Sequence, residues 1–199
     1  MSDITITAEM IVNGRCIVDL SAVEGSITFL ADLRTVHING SIRATGSIVA
    51  KAGSGIKARW GIEAGWGIKA GAGIEAGWAI KAGWGIEAGE GIDAGAGIKA
   101  GAGIEAGWSI EAGEGIEAGE GIDAGEGIDA GEGIDAGEGI KAGWSITCEG
   151  ELSVGLRIFA GLCDWRLPKL EEMRITCSRL ASGIIACGEL ILLPCKAAR

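Results

Sequence analysis

Residues 56–73 read IKARWGIEAGWGIKAGAG, one six-residue phrase written three times, and this phrase decides the fold. Ile stands at every sixth position from Ile56 to Ile146, 16 hits without a gap. The register extends back through Ile48, Ile42 and Val36, with two extra residues between Ile48 and Ile56. The unit is I-x-A-G-x-G. Its third position is Ala from Ala58 to Ala142, its fourth is Gly except at Arg59 and Glu149, and its sixth is Gly, Ala79, Ser109 or Ser145. Such fixed periodicity is the mark of a repeat architecture.

Six is a poor helical period, and two Gly per unit would cost a helix about 2 kcal/mol per repeat relative to Ala. A strand suits the phrase better. Ile and Ala lie two apart and share a face. Between them stands Lys, Glu or Asp in nearly every unit, pointing the other way. The fifth position accepts Trp, Ala or Glu, so it faces water and the alternation must break between positions 3 and 5. Gly at position 4 is expected to make that corner by adopting positive φ. Each hexad is then a short strand and a corner, and stacked hexads bury a column of Ile with Ala beside it.

The charges set the number of hexads per turn. A step of three hexads places Lys57 by Glu75, Glu63 by Lys81 and Lys69 by Glu87, whereas a step of two places like charges together. Opposite charges on paired strands stabilise and like charges do not. Three hexads per turn are favoured, although Lys81 then lies by Lys99. The expected fold is all-β: a single-stranded β-solenoid, a triangular β-helix of about 18 residues per turn with a hexapeptide period. The hexads span 36–163. Residues 1–35 alternate like strands without a hexad, and Leu152, Val154, Leu156 and Ile158 continue the coil with larger side chains. In 164–199, the segment with Trp165 and Pro168 suggests a loop or short helix, after which strands resume. Both flanks are expected to be caps, because a solenoid must cover its last strand edges.

Composition excludes several classes. Gly accounts for 37 of 199 residues and Tyr is absent, so a core of large side chains is ruled out. Gly does not recur every third residue, which excludes collagen. No signal peptide or membrane span is apparent, and six cysteines without a CxxC pair suit a reducing cytoplasm better than a zinc site. A net charge of −10 argues against direct nucleic-acid binding. No catalytic motif stands out, His37 is the lone histidine, and Cys148, Cys177 and Cys187 occupy Ala-like positions expected in the core. No enzyme activity, cofactor or metal is therefore expected.

The stretch Ser41–Gly73, SIRATGSIVAKAGSGIKARWGIEAGWGIKAGAG, resembles the polymer-forming bactofilin family in its run of G-x-I-x-A units. The resemblance covers roughly residues 36–163 and implies a right-handed triangular β-helix that joins end to end into cytoskeletal filaments. This chain departs from that family in lacking long polar tails and in having end segments that read as caps, which would block end-to-end growth. The hexapeptide acyltransferase pattern fails, because Trp66, Glu114 and Glu120 occupy the place where it needs a small residue.

Two constellations are candidates for function. Eleven carboxylates (Glu105, Glu111, Glu114, Glu117, Glu120, Asp123, Glu126, Asp129, Glu132, Asp135 and Glu138) fall in a segment without Lys or Arg. Six per turn, at about 4.8 Å per turn, would give one or two faces a charge density like that of duplex DNA, about one per 1.7 Å. That suits a decoy for a basic groove; it also suits a solvated surface that keeps a sticky stack soluble. Trp60, Trp66, Trp78 and Trp84 occupy position 5, so a three-hexad step stacks Trp60 on Trp78 and Trp66 on Trp84. Exposed aromatic ladders mark an interface; the end segments could instead fold over them. The expected function is a binding protein that presents acidic and Trp-bearing surfaces to a protein partner with a basic groove, in sharp form a nucleic-acid mimic that inhibits a nucleic-acid-handling machine of the anti-phage type. The alternative is a self-associating scaffold of bactofilin type, dimer or filament.

Overall fold

The computed structural model describes residues 3–163 and 166–194. Its backbone is a three-sided, single-stranded parallel β-solenoid of about ten turns. Strands of three residues, Ile to Ala, succeed one another round the three sides. Face A holds Ile68–Ala70, Ile86–Ala88, Ile104–Ala106 and Ile122–Ala124; face B holds Ile74–Ala76, Ile92–Ala94, Ile110–Ala112 and Ile128–Ala130. Face C holds Ile62–Ala64, Ile80–Ala82, Ile98–Ala100, Ile116–Ala118 and Ile134–Ala136. In each ladder Ile meets Ile and Ala meets Ala three hexads on, as in Ile68↔Ile86 and Ala70↔Ala88.

From Ile56 to Ile146 every Ile at position 1, and from Ala58 to Ala142 every Ala at position 3, is buried, at 7% exposure or less. The corners continue the ladder. The Gly83 N–H donates to the Ala64 carbonyl at 3.1 Å, Trp84 N–H to Trp66 at 3.2 Å, and Ile68 N–H to Gly85 at 3.0 Å. Backbone donors are thus satisfied from turn to turn.

Position 4 departs from expectation. None of its glycines from Gly65 to Gly143 has positive φ; the positive-φ glycines lie at Gly14, Gly25, Gly53, Gly161, Gly183 and Gly188. Close approach is what requires Gly there. A Cβ on Gly83 would lie 2.1 Å from the Gly65 carbonyl oxygen, and one on Gly101 2.1 Å from that of Gly83. Position 6 is looser, since a Cβ on Gly103 would lie 3.3 Å from the Gly121 oxygen. This is why Ala79, Ser109 and Ser145 are accepted at position 6.

The ladders run on through both sequence boundaries, at 35/36 and at 163/164. On face A, Ile4 pairs with Ile27 and Ile27 with Ile48, and both turns are longer than three hexads. The first turns therefore belong to the solenoid, with the surplus residues placed at corners. Where two residues are inserted before Ile56, Ser54 is fully buried; its hydroxyl donates to the Leu30 carbonyl at 2.6 Å and accepts from Leu33 N–H at 2.9 Å. The N-terminal edge of face B ends in an antiparallel hairpin, Ile11–Val12 against Arg15–Cys16. Asn13 and Gly14, both at positive φ, form its two-residue turn.

At the other end Arg174–Cys177, Arg179–Leu180, Ile184–Cys187 and Glu189–Leu192 add parallel rungs to the three faces. Of the inward residues there, Ile175 and Cys177 are fully buried, while Leu180, Ile185 and Leu190 are only partly buried. Leu156 also departs from expectation: it sits at a corner and is 60% exposed, while Leu152, Val154 and Ile158 are buried. A longer excursion at the A-to-B corner carries the short 3-10 helix Leu170–Met173. Trp165 and Cys195 lie outside the described residues.

Candidate functional site

The surface is built from two kinds of row. Position 2 runs up the middle of each face, and position 5 runs up each corner. Position 2 emerges because Ile and Ala take the inward positions of the strand, and position 5 emerges because each strand ends at Ala and the chain turns the corner there. Shallow troughs lie between the corners.

The aromatic residues emerge as expected. Trp66, Trp78 and Trp84 are 60–67% exposed and Trp60 43%. Trp60 meets Trp78 edge to face, with ring centres 5.3 Å apart, at the B-to-C corner. Trp66 lies nearly parallel to Trp84 at 5.9 Å on the C-to-A corner. The two pairs therefore flank the same stretch of face C. The Arg59 guanidinium stands 5.5 Å from the Trp60 ring. Two further tryptophans share the rule for position 5 and were not singled out from sequence. Trp108 is exposed at the A-to-B corner. Trp144, two rungs on, is half-buried beneath Arg166, which lies 5.7 Å from its ring. Arg166 grips Glu172 with two hydrogen bonds, 2.6 and 2.8 Å. That grip, with the Lys169 N–H, pulls the Glu172 carboxyl down to about 2.

The eleven carboxylates do not fall on one face; they make a girdle. Glu105 and Asp123 lie on face A, Glu111 and Asp129 on face B, and Glu117 and Asp135 on face C. Glu114 and Glu132 stack at the B-to-C corner, Glu120 and Glu138 at the C-to-A corner, and Glu126 follows Trp108 at the A-to-B corner. Asp123 and Glu126 are half-buried and the other nine exposed. Among the described residues only Glu117 and Asp123 of the eleven meet a cation, Lys99 at 2.6 Å and Lys141 at 3.2 Å.

Counting along the ladder, rather than along the chain, reveals a longer acidic stretch. On face B the middle row runs Glu75, Asp93, Glu111, Asp129 in direct register. Corner residues Glu90, Glu114, Glu126 and Glu132 flank it. Lys57 pairs with Glu75 and closes the lower end. Glu75, Glu90 and Asp93 lie outside the acidic segment of the sequence; the three-hexad step was the signal that could have found them. Crowding has an electrostatic consequence. Partial desolvation, then the carboxylates one rung away, raise the Asp93 and Asp129 acid groups above the usual aspartate value.

Burial, with Cys177 beside it, pushes the Cys148 thiol up to about 12. Cys177 is also buried, and Cys187 half-buried on the last rung of face A. His37 is exposed on face B beside Lys57. Among the described residues no group of three His, Cys, Asp or Glu is placed to hold a metal, and no helix is long and apolar enough to cross a membrane.

Fold and surface together define a three-sided β-solenoid that displays charged and aromatic rows on a rigid stack. Set against family models, curated proteins and solved structures, the chain matches none.

Proposed function

We propose that this chain is a non-enzymatic binding protein whose acidic face B docks into the basic groove of a macromolecular partner. The observation that carries the reading is the four-rung carboxylate ladder Glu75–Asp93–Glu111–Asp129 with acidic corners beside it. Like charges in register oppose the fold, so their presence calls for an offsetting use. Eight carboxylates on four rungs, at about 4.8 Å each, amount to about one per 2.4 Å, against about one per 1.7 Å in duplex DNA. A groove built for a nucleic-acid backbone would accept such a surface; a nucleic acid would be repelled by it. In its sharp form the protein is a mimic that occupies a nucleic-acid-handling machine, a role suited to the cytoplasm of a bacterial or phage-infected cell.

The test is capture from lysate by the immobilised chain, followed by elution with salt. Wild type is expected to retain proteins that salt releases and that duplex DNA displaces. The variant Glu90→Gln, Glu111→Gln, Glu126→Gln, Asp129→Asn is expected to retain none of them. Equal capture by both at matched salt ends the electrostatic reading.

The other end of the stack supports a second reading, a scaffold of bactofilin type. Among the described residues Glu189–Leu192 forms the outermost rung of face B, and Leu180, Ile185 and Leu190 are only partly covered. An open parallel rung is a template for another copy. Filaments in negative stain would favour this reading, and discrete particles the first.

A further inference from the structure

Face C is divided into two unlike halves. Its middle row runs Arg43, Glu63, Lys81, Lys99, Glu117, Asp135. Glu63 is paired with Arg43 at 3.0 Å and Lys99 with Glu117 at 2.6 Å. Lys81 stands in register between Glu63 and Lys99 and makes no ion pair among the described residues. The corner rows change at the same height. One runs Trp60, Trp78, Ala96, Glu114, Glu132; the other runs Trp66, Trp84, Ala102, Glu120, Glu138, Leu156. Below the midpoint between Lys99 and Glu117 the face is aromatic and cationic; above it the face is anionic.

We propose that face C is the contact between two copies of this chain, arranged antiparallel about a two-fold axis through that midpoint. The axis lies in the plane of the face, perpendicular to the stack. Rotation about it keeps each corner row facing its own counterpart and reverses the order of rungs. Lys99 then faces Glu117 of the second copy, and Lys81 faces Asp135 of the second copy. Trp78 and Trp84 face Glu132 and Glu138 of the second copy, each indole N–H being a donor for a carboxylate. Small Ala96 and Ala102 leave room for Glu114 and Glu120 of the second copy. Trp66 faces Leu156 of the second copy; both are 60% exposed in the single chain. Every pairing occurs twice, as a two-fold contact requires. The arrangement gives Lys81 its missing carboxylate and accounts for the Lys81–Lys99 register that strand pairing alone disfavours. The middle row of face B, with Glu90 and Glu126 on its far corner, stays free for the partner, while Glu114 and Glu132 on the shared corner enter the dimer contact.

The test is sedimentation equilibrium of the purified full chain at low ionic strength. Wild type is expected at twice the chain mass, with dissociation increasing as salt rises. Lys81→Asp alone and Asp135→Lys alone should each weaken the dimer by about tenfold or more. The double variant Lys81→Asp, Asp135→Lys restores opposite charges across the two-fold axis and should recover the dimer. Circular dichroism and the thermal midpoint of each single variant separate lost association from lost folding. Should a single variant misfold, Trp84→Ala, which touches only the corner, takes its place and should weaken the dimer likewise. A monomeric wild type, or dimers indifferent to both single changes, would overturn the proposal, as would a double variant that is folded and monomeric. The four face-B substitutions of the capture test should leave the dimer intact, so the two readings fail separately.

Discussion

Two glycines in one hexad do different work. At position 4 the backbones of successive turns approach so closely that a methyl group on Gly101 would lie 2.1 Å from the carbonyl oxygen of Gly83, inside van der Waals contact. At position 6 the corresponding distance for Gly103 is 3.3 Å. Gly101→Ala must therefore push two turns apart, whereas Gly103→Ala needs a shift of a few tenths of an ångström. The expected outcome is a loss of about 1–3 kcal/mol for Gly101→Ala, the range of overpacked cores, and little change for Gly103→Ala. Urea midpoints of the two variants would check it, and equal midpoints would contradict the close-approach account. A sequence marks that glycine is needed but carries no record of why. Positive φ and close approach leave the same letter, and only the stacked carbonyl shows which constraint applies. Ser54 is legible in the same limited way. Its place in the two-residue insertion is visible, but its bonds to Leu30 and Leu33 depend on where the path round the preceding turn returns.

At the scale of the strand, register turns charge into stability. Lys69–Glu87 at 2.5 Å and Lys99–Glu117 at 2.6 Å are the pairs that a three-hexad step foretells. Both are exposed and worth about 0–1 kcal/mol each, so they choose the register more than they hold the stack. The Asp93 and Asp129 rungs act the other way. Their folded acid groups titrate above the unfolded value, so the folded state holds protons more tightly. Stability from these two groups is gained as pH falls from neutral through their raised values and is lost again as pH rises. Glu172 has the opposite sign: its pair with Arg166 contributes above about 4.5 and fades as pH falls toward about 2. The thermal midpoint should therefore climb on moderate acidification from pH 7 and decline in stronger acid. Asp129→Asn should raise the midpoint at pH 7, by a few tenths to about 1 kcal/mol for one like-charge contact removed, and flatten the climb. A midpoint that falls monotonically from pH 7, identical in wild type and variant, would contradict the ladder electrostatics. Sequence reading located the acidic segment yet missed Glu75, Glu90 and Asp93, because charge was counted along the chain while the molecule arranges it along the axis. Trp144 shows the other limit: its row was legible, but its cover, the excursion bearing Arg166, follows no repeat.

Among the described residues the molecule is nearly one-dimensional, each rung pairing with the rungs on either side. Stability in such a stack is a sum of turns and their interfaces, and a turn is interchangeable with any other that keeps the step. The Ile column makes the step plain in sequence, so the repeat region was legible almost entirely. The longer turns at the start were not, because surplus residues at a corner erase the period while leaving the face A pairing of Ile4, Ile27 and Ile48 intact. Removing residues 98–115, one full turn, should accordingly leave a folded solenoid. Ile116 would follow Gly97 in phase, Lys81 would stand beside Glu117, and face B would lose one of its four like-charged rungs, Glu111. These gains offset part of the stacking that the deleted turn supplied. Removing residues 98–112 instead takes out two and a half hexads. Gly97 would be followed by Gly113, and every Ile beyond it would arrive half a hexad late. The glycines of positions 4 and 6 would then fall in the column, and Ile would be forced into the tight corner that position 4 reserves for Gly. Circular dichroism and hydrogen exchange distinguish the outcomes: retained strand signal and slow exchange for the whole-turn deletion, loss of both for the shorter one. Survival of the shorter deletion with native exchange would mean that the column of Ile does not hold the stack in register.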